Sequence, residues 1–145
     1  MEEYNLISFV MKYSMVRKRI AAKYLKKEDL NGFESILLSI VYKHQELSQD
    51  KIGEMTLSDG ASITRSLKKL EDRGFVSRKA DPNNGRKKIV RITDEGQTLY
   101  DQVREEFHTS NVMMFNDVTS EEQHELERIL TKVYKNLDNL KIESK

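Results

Sequence analysis

Apolar residues in the first part of the chain recur at three- and four-residue spacing, the period of a helix that buries one face. Leu6, Val10, Tyr13, Ile20 and Tyr24, with Phe9 and Val16 alongside, predict a first helix over residues 4–27. Lys23, Lys26 and Lys27 then lie at its C-terminal end, where the helix dipole favours cations. Asn31 is placed to cap a second helix over residues 32–43, with Phe33, Ile36, Leu37, Ile40 and Val41 as its buried stripe. Ser48 opens a short helix through Met55, and Thr56-Leu57-Ser58 form a tight connection. A further helix runs from about Asp59 to Arg73, and Gly74 supplies the left-handed residue that stops it.

The period then changes. Phe75 to Ala80 and Lys87 to Ile92 are extended segments, and the second alternates as Lys88-Ile89-Val90-Arg91-Ile92. The turn residues Asp81-Pro82-Asn83-Asn84-Gly85 separate them, so the pair predicts a β-hairpin whose outer half is basic. Thr93 can cap a helix carrying Leu99, Val103 and Phe107, which fades between Asn111 and Asn116. Thr119-Ser120-Glu121-Glu122 fits a capping box, and Leu126, Ile129, Leu130, Val133, Leu137 and Leu140 form the apolar stripe of a last helix. The expected fold class is therefore mainly α with a small β-hairpin wing.

Composition narrows the function classes. The chain has no cysteine, which excludes disulfides, thiolate nucleophiles and thiol redox sensing. It has no apolar run of bilayer length and no signal-peptide core, so the expectation is a cytoplasmic protein with no membrane partner. Nothing resembles a glycine-rich phosphate loop, a nucleophile elbow or a metal-hydrolase helix, and neither an enzyme nor a cofactor is expected. No two of His44, His108 and His124 stand three or four residues apart. His108 with Glu105 is the best metal candidate they offer, and the expectation is surface histidines and no metal.

The net charge of +1 conceals an uneven distribution. Residues 1–59 carry 9 basic and 9 acidic side chains, a net of 0. Residues 60–91 carry 10 basic and 3 acidic, a net of +7, and residues 94–145 carry 6 basic and 12 acidic, a net of −6. A cationic centre is the footprint of phosphate binding, although a charge run is also what a merely solvated face produces.

Two short helices joined by a tight turn, the second followed by a β-hairpin, describe a winged helix-turn-helix. On the second helix Ile63, Leu67 and Leu70 fall on one side, and Ala61, Ser62, Arg65, Lys68 and Lys69 fall opposite at 100° per residue. Small hydroxyl residues allow close approach to base edges, an arginine can pair with guanine, and lysines can reach phosphates. Arg86, Lys87 and Lys88 add a second cationic surface at the hairpin tip, where an arginine suits the neighbouring narrower groove.

Residues 30–96 resemble the MarR family of bacterial and archaeal regulators. The likeness is carried by Leu47-Ser48-Gln49-Asp50-Lys51-Ile52, by Ser62-Ile63-Thr64-Arg65-Ser66-Leu67-Lys68-Lys69-Leu70-Glu71-Asp72-Arg73-Gly74-Phe75-Val76, and most specifically by the wing from Asp81 to Gly96. Three positions depart from the family's pattern. Asn84 stands where an aspartate usually orients the wing arginine, Gly53 where an alanine is common, and Gly60 where a lysine is frequent.

The resemblance implies one domain over residues 1–145: a winged helix-turn-helix lobe over 30–93, with helical dimerisation regions at 1–29 and 94–145. It implies a homodimer whose first and last helices interlock, and the two long apolar stripes, too much for so small a chain to bury alone, point the same way. It further implies a repressor bound to double-stranded DNA at a pseudo-palindromic operator. The residues expected at the DNA are Ser48, Ser58, Ser62, Thr64, Arg65, Lys68, Lys69, Arg86, Lys87 and Lys88. The effector it suggests is a small aromatic or phenolic compound between the dimerisation helices and the DNA-binding lobe, with Tyr13, Tyr24, Phe33 and Tyr42 as candidate lining. The alternative kept open by Gly60 and Asn84 is a winged-helix module that binds another protein.

Overall fold

The computed structural model of the protein describes residues 5–140, so Tyr4 of the expected first helix and residues 141–145 of the expected helical tail lie outside it. The elements in order are α1 (Leu6–Leu25), a short 3₁₀ turn (Lys26–Glu28), α2 (Gly32–His44), β1 (Glu46–Ser48), α3 (Gln49–Thr56), α4 (Gly60–Asp72), β2 (Val76–Asp81), β3 (Asn84–Ile92), α5 (Asp94–Met114) and α6 (Ser120–Asp138). The chain clusters into two compact units that divide within α5, between Thr109 and Ser110.

In the first unit the helix starts follow from their caps. Asn31 Oδ1 accepts the Glu34 amide at 2.9 Å while Glu34 Oε2 accepts the Asn31 amide at 2.8 Å, the reciprocal box that satisfies two end donors. Asn5 and Ser8 form the same device at the start of α1. Ser48 and Asp59 cap α3 and α4 through the amides of Lys51 and Ser62. Gly74, at φ 79°, ends the turn after α4 in the left-handed conformation that a glycine adopts without a Cβ penalty.

The core is formed by Leu25, Leu37, Leu38, Val41, Ile52, Ile63, Leu67, Leu70, Phe75, Val76, Val90, Val103 and Phe107, together with Leu30. Each such side chain contributes about 1.5–3 kcal/mol by leaving water. The stripe expected on α2 is displaced by one residue. Leu38 is wholly buried and Ile36 is 52% exposed, the reverse of the expectation. The buried arc is Glu34, Leu37, Leu38 and Val41, an ideal helical spacing whose first member is a carboxylate, so the apolar pattern pointed to the neighbouring arc.

The three strands form one antiparallel sheet in the order β1-β3-β2. β1 went unrecognised in the sequence, where Glu46 and Leu47 led only into the next helix. It pairs Glu46 with Arg91, Leu47 with Val90 and Ser48 with Ile89, and the opposed Glu46 and Arg91 side chains form an ion pair across the ladder. β2 and β3 run in register from Val76↔Ile92 to Ala80↔Lys88, after which Asp81 pairs with Asn84. That shift extrudes Gly85, Arg86 and Lys87 as an irregularity on the β3 side, so the hairpin turn is tighter than the five-residue segment expected. At the sheet's far end α5 presses against the backbone: a Cβ on Gly96 would lie 2.1 Å from the Phe75 carbonyl oxygen.

The second unit holds the end of α5 and α6, whose capping box joins Thr119 to Glu122 as the sequence pattern indicated. None of the residues of α6 is buried. Leu126, Ile129, Leu130, Val133, Tyr134 and Leu137 are all exposed.

Candidate nucleic-acid interface

α3 and α4 are joined by a turn in which Leu57 takes a left-handed φ of 51° and is 84% exposed. Ile52 of α3 and Ile63, Leu67 and Leu70 of α4 are buried, which fixes the rotation of α4 and turns Gly60, Ala61, Thr64, Arg65 and Lys68 to the outside. Of the outward face that its periodicity implied, Ala61, Arg65 and Lys68 are exposed, whereas Ser62 and Lys69 are half-buried.

The outward face begins with a chain of hydrogen bonds. Ser62 Oγ donates to Asp59 Oδ2 at 2.7 Å and accepts from Arg65 Nη2 at 3.3 Å, while the Ser62 amide donates to Asp59 Oδ1 at 2.8 Å. The hydrogen bond from the Ser62 hydroxyl, then that from its amide, holds the Asp59 carboxyl below its ordinary value. Thr64 Oγ1 accepts from Gln49 Nε2 at 2.9 Å, tying the start of α3 to α4. Ser48 Oγ is the cap of α3, and Ser58 Oγ donates to the Thr56 carbonyl at 3.2 Å.

The lysines are placed differently from one another. Lys68 lies 3.0 Å from Asp72 one helical turn on, with both side chains well exposed. Lys69 turns towards the start of α2, where its Nζ is 3.3 Å from Glu34 and 3.5 Å from Asp29. Lys87 reaches Asp50 of α3 at 3.5 Å. Lys88 and Arg86 are exposed on the wing. Asn84 Oδ1 accepts the Arg86 amide at 3.2 Å, so this residue orders the arginine's backbone, and the guanidinium forms no ion pair among the described residues. Below the tip, Glu71 Oε2 accepts from both Arg78 Nε at 3.1 Å and Nη2 at 2.8 Å, and Oε1 accepts the Arg78 amide at 3.2 Å, which together tie β2 to the end of α4.

Ser62, Thr64, Arg65 and Lys68 are thus brought together on one helix, with Arg86, Lys87 and Lys88 on the adjoining wing. Lys69 is held apart by Glu34. Sequence reasoning missed Asp59, Gln49, Asp50 and Glu34 as partners of these side chains. Of the four, only Asp59 carried a local signal, since an aspartate three residues before Ser62 at a helix start is a cap.

The four aromatic residues expected to line an effector site each make different contacts. Tyr13 stacks on Phe9 with centroids 5.8 Å apart. Phe33 packs against the core. The Tyr42 hydroxyl donates to Asp101 at 2.6 Å and its ring lies 4.6 Å from Tyr100. Tyr24 donates to Glu106 at 2.8 Å and lines an open groove of about 420 Å³ with Asp101, Gln102, Glu105, Glu106 and Thr109.

Two helices joined by a left-handed turn, backed by a small sheet and flanked by a cationic hairpin, define a winged helix-turn-helix protein. Residues 35–88 match the MarR family. The chain is 30% identical over 125 residues to the HTH-type transcriptional regulator YdgJ of Bacillus subtilis (strain 168), covering 86% of this chain and 76% of that protein. It therefore belongs to the MarR family. The fold resembles the crystal structure of a MepR mutant from a multidrug-resistant S. aureus isolate, with a TM-score of 0.80 at 23% identity, covering 94% of this chain and 99% of the other. The S. aureus MepR–DNA complex gives a TM-score of 0.73 at 22% identity, covering 92% and 99%.

Proposed function

We propose that the protein is a sequence-specific, double-stranded DNA-binding regulator of transcription that acts as a homodimer. The observation that carries the reading is the pairing of two exposed arginines, Arg65 on α4 and Arg86 on the wing. Neither forms an ion pair among the described residues. Lys68, Lys69, Arg78 and Lys87 around them lie against carboxylates, whereas a guanidinium with no ion pair on each of two adjoining elements suits two neighbouring grooves of one duplex. α4 enters the major groove with Arg65 towards a guanine edge, and Arg86 enters the narrower groove beside it. The relatives named as HTH-type transcriptional regulators and the DNA complex of MepR support this assignment.

The dimer rests on uncovered apolar surface. α1 exposes Leu6, Ile7, Phe9, Val10, Met11, Met15 and Val16, and buries only Leu25. α6 independently exposes its whole apolar stripe. A second copy of the chain is the proposed cover for both, and its two-fold symmetry places half-sites about one helical turn apart on a pseudo-palindromic operator. Repression, relieved by a small aromatic or phenolic effector that shifts the dimer away from its DNA-competent state, is the proposed mode of control.

The test is binding of the purified protein to a fluorescent duplex of its own upstream region, against a scrambled duplex, across a salt series. Selective binding of two protomers per site with steep salt dependence is expected. Equal and weak binding to both duplexes, with a partner protein captured by the same surface, would replace this reading with a protein-interaction module.

A further inference from the structure

The chain Asp59–Ser62–Arg65 has a property that the DNA-binding reading does not itself require. Arg65 is exposed, and an arginine on a helix surface ordinarily samples many rotamers and loses side-chain freedom on being fixed. Here one end of its guanidinium is held by Ser62 Oγ at 3.3 Å. Ser62 can accept that bond because its own hydroxyl hydrogen is committed to Asp59 Oδ2 at 2.7 Å, which points an oxygen lone pair towards Arg65. Asp59 is held in turn by the Ser62 amide at 2.8 Å, as the N-cap of the helix. Each member is oriented by the one before it, from a capping carboxylate to a guanidinium.

We propose, resting on the DNA-binding reading above, that Asp59 and Ser62 are positioning residues for base recognition. The relay holds Arg65 at the angle from which its free N–H groups meet one guanine. Ser62 then sets specificity through Arg65, without itself reading a base. Two consequences separate this from a direct Ser62–base contact. Loss of the Ser62 hydroxyl should weaken discrimination at the base pair that Arg65 reads, and at no other. It should leave the salt dependence unchanged, because no phosphate contact is lost. The carboxylate also keeps a negative charge beside Arg65, which disfavours misplaced contact of that arginine with the phosphate backbone.

The experiment begins with selection of the preferred site from a random duplex library by the full-length wild-type protein. Each position of that site is then substituted in turn, and affinities are measured for wild type, Arg65→Ala, Ser62→Ala, Ser62→Thr and Asp59→Asn. Arg65→Ala identifies the base pair it reads as the position where discrimination collapses, by roughly five- to hundredfold. Ser62→Ala is expected to lose roughly three- to tenfold of discrimination at that same position, the size of one hydrogen bond, with an unaltered salt slope. Ser62→Thr keeps the hydroxyl and should restore it, and Asp59→Asn, which keeps a cap, should fall between. Thermal melting of each variant separates these effects from loss of folding. The relay is overturned if Ser62→Ala discriminates as well as wild type, or if its loss falls on a different base pair from that of Arg65→Ala. Failure of the wild type to select any site would overturn the DNA-binding reading and the relay together, whereas a selective wild type with an indifferent Ser62→Ala overturns the relay alone.

Discussion

Lys69 on α4 and Glu34 at the start of α2 face each other across 3.3 Å, and the Glu34 carboxylate belongs to a residue only 4% exposed. The buried end of this pair is satisfied three times, since Glu34 also accepts from the Asn31 amide at 2.8 Å and from Asn31 Nδ2 at 3.2 Å. A buried carboxylate with this many donors joins the start of α2 to the last turn of α4, and removing it undoes both the reciprocal cap and that tie.

Glu34→Ala is accordingly expected to destabilise the fold by roughly 1–2 kcal/mol, through loss of the reciprocal cap and of the tie to Lys69, as read by urea unfolding. Lys69→Ala should cost less, roughly 1 kcal/mol, because its own end of the pair is partly solvated. It should also leave the salt slope of DNA binding unchanged, which distinguishes a structural lysine from a phosphate contact. A flatter slope in Lys69→Ala would return that residue to the DNA surface.

Two glycines should respond in opposite ways to alanine. Gly53 lies inside α3, and a Cβ there would meet only Ile63 Cδ1 at 3.4 Å, an ordinary contact. Gly53→Ala should therefore stabilise the protein by up to about 1 kcal/mol through helix propensity. Gly96 admits no Cβ, since the Phe75 carbonyl oxygen would lie at 2.1 Å and backbone cannot move aside cheaply. Gly96→Ala should lower the melting temperature by several degrees, and equal behaviour of the two variants would contradict this packing.

The same contrasts show what the sequence could and could not reveal. Local devices were legible: the Asn31 and Thr119 caps, Gly74 as a helix stop, and the face division of α4 all depend on residues within one or two turns. The three residues of β1 were not, because Glu46 to Ser48 are extended only through pairing with Arg91, Val90 and Ile89, more than 40 positions away. Leu38 was overlooked because Glu34 interrupts the apolar arc at its first position, and a buried carboxylate is intelligible only with Lys69 in place. Within the candidate site the cations could be read from their types and spacing. Their partners could not, since Asp50 meets Lys87 only after the wing has folded back beside α3.

Asp50 offers a gain rather than a loss. It stands in the first turn of α3, 3.5 Å from Lys87, with both side chains more than half exposed. Asp50→Asn frees that lysine and removes a negative charge from the cationic side. An exposed pair of this kind is worth at most about 1 kcal/mol, so DNA affinity should rise roughly two- to fivefold. The gain should be largest at low salt and vanish as screening increases. No change at any ionic strength would mean that Lys87 never approaches the duplex.

Asp59 provides a titration that needs no DNA. Its carboxyl is held below the ordinary 3.8 by the Ser62 hydroxyl first and the Ser62 amide second. A depressed folded-state value means that the group's contribution to stability is present above pH 3.8, its ordinary value, and is lost as the pH falls through the folded value. Ser62→Ala removes the larger cause, so the Asp59 titration followed by carboxyl NMR should move up towards the ordinary value. An unmoved midpoint would show that the hydroxyl does not hold the carboxylate in solution.

Gly60 is the position where added chemistry should strengthen binding most simply. It is the first residue of α4, exposed, and a Cβ there meets nothing within 4 Å. Gly60→Lys faces two opposed effects. A cation near a helix N-terminus meets the positive end of the dipole and costs about 0.3–1 kcal/mol of stability, partly offset by replacing glycine in a helix. Against DNA, one new phosphate contact per protomer in the proposed dimer should steepen the slope of log affinity against log salt by about 2. Below roughly 0.1 M salt the contact should win, because screening is weak and the stability cost is spread over a fold that stays intact. The expected result is tighter binding to operator and scrambled duplex alike, with their ratio nearly unchanged, since a phosphate contact carries no base information. A variant that tightened on the operator alone would show instead that residue 60 lies against a base edge, and would place the end of α4 deeper in the groove than Ser62 and Arg65 require.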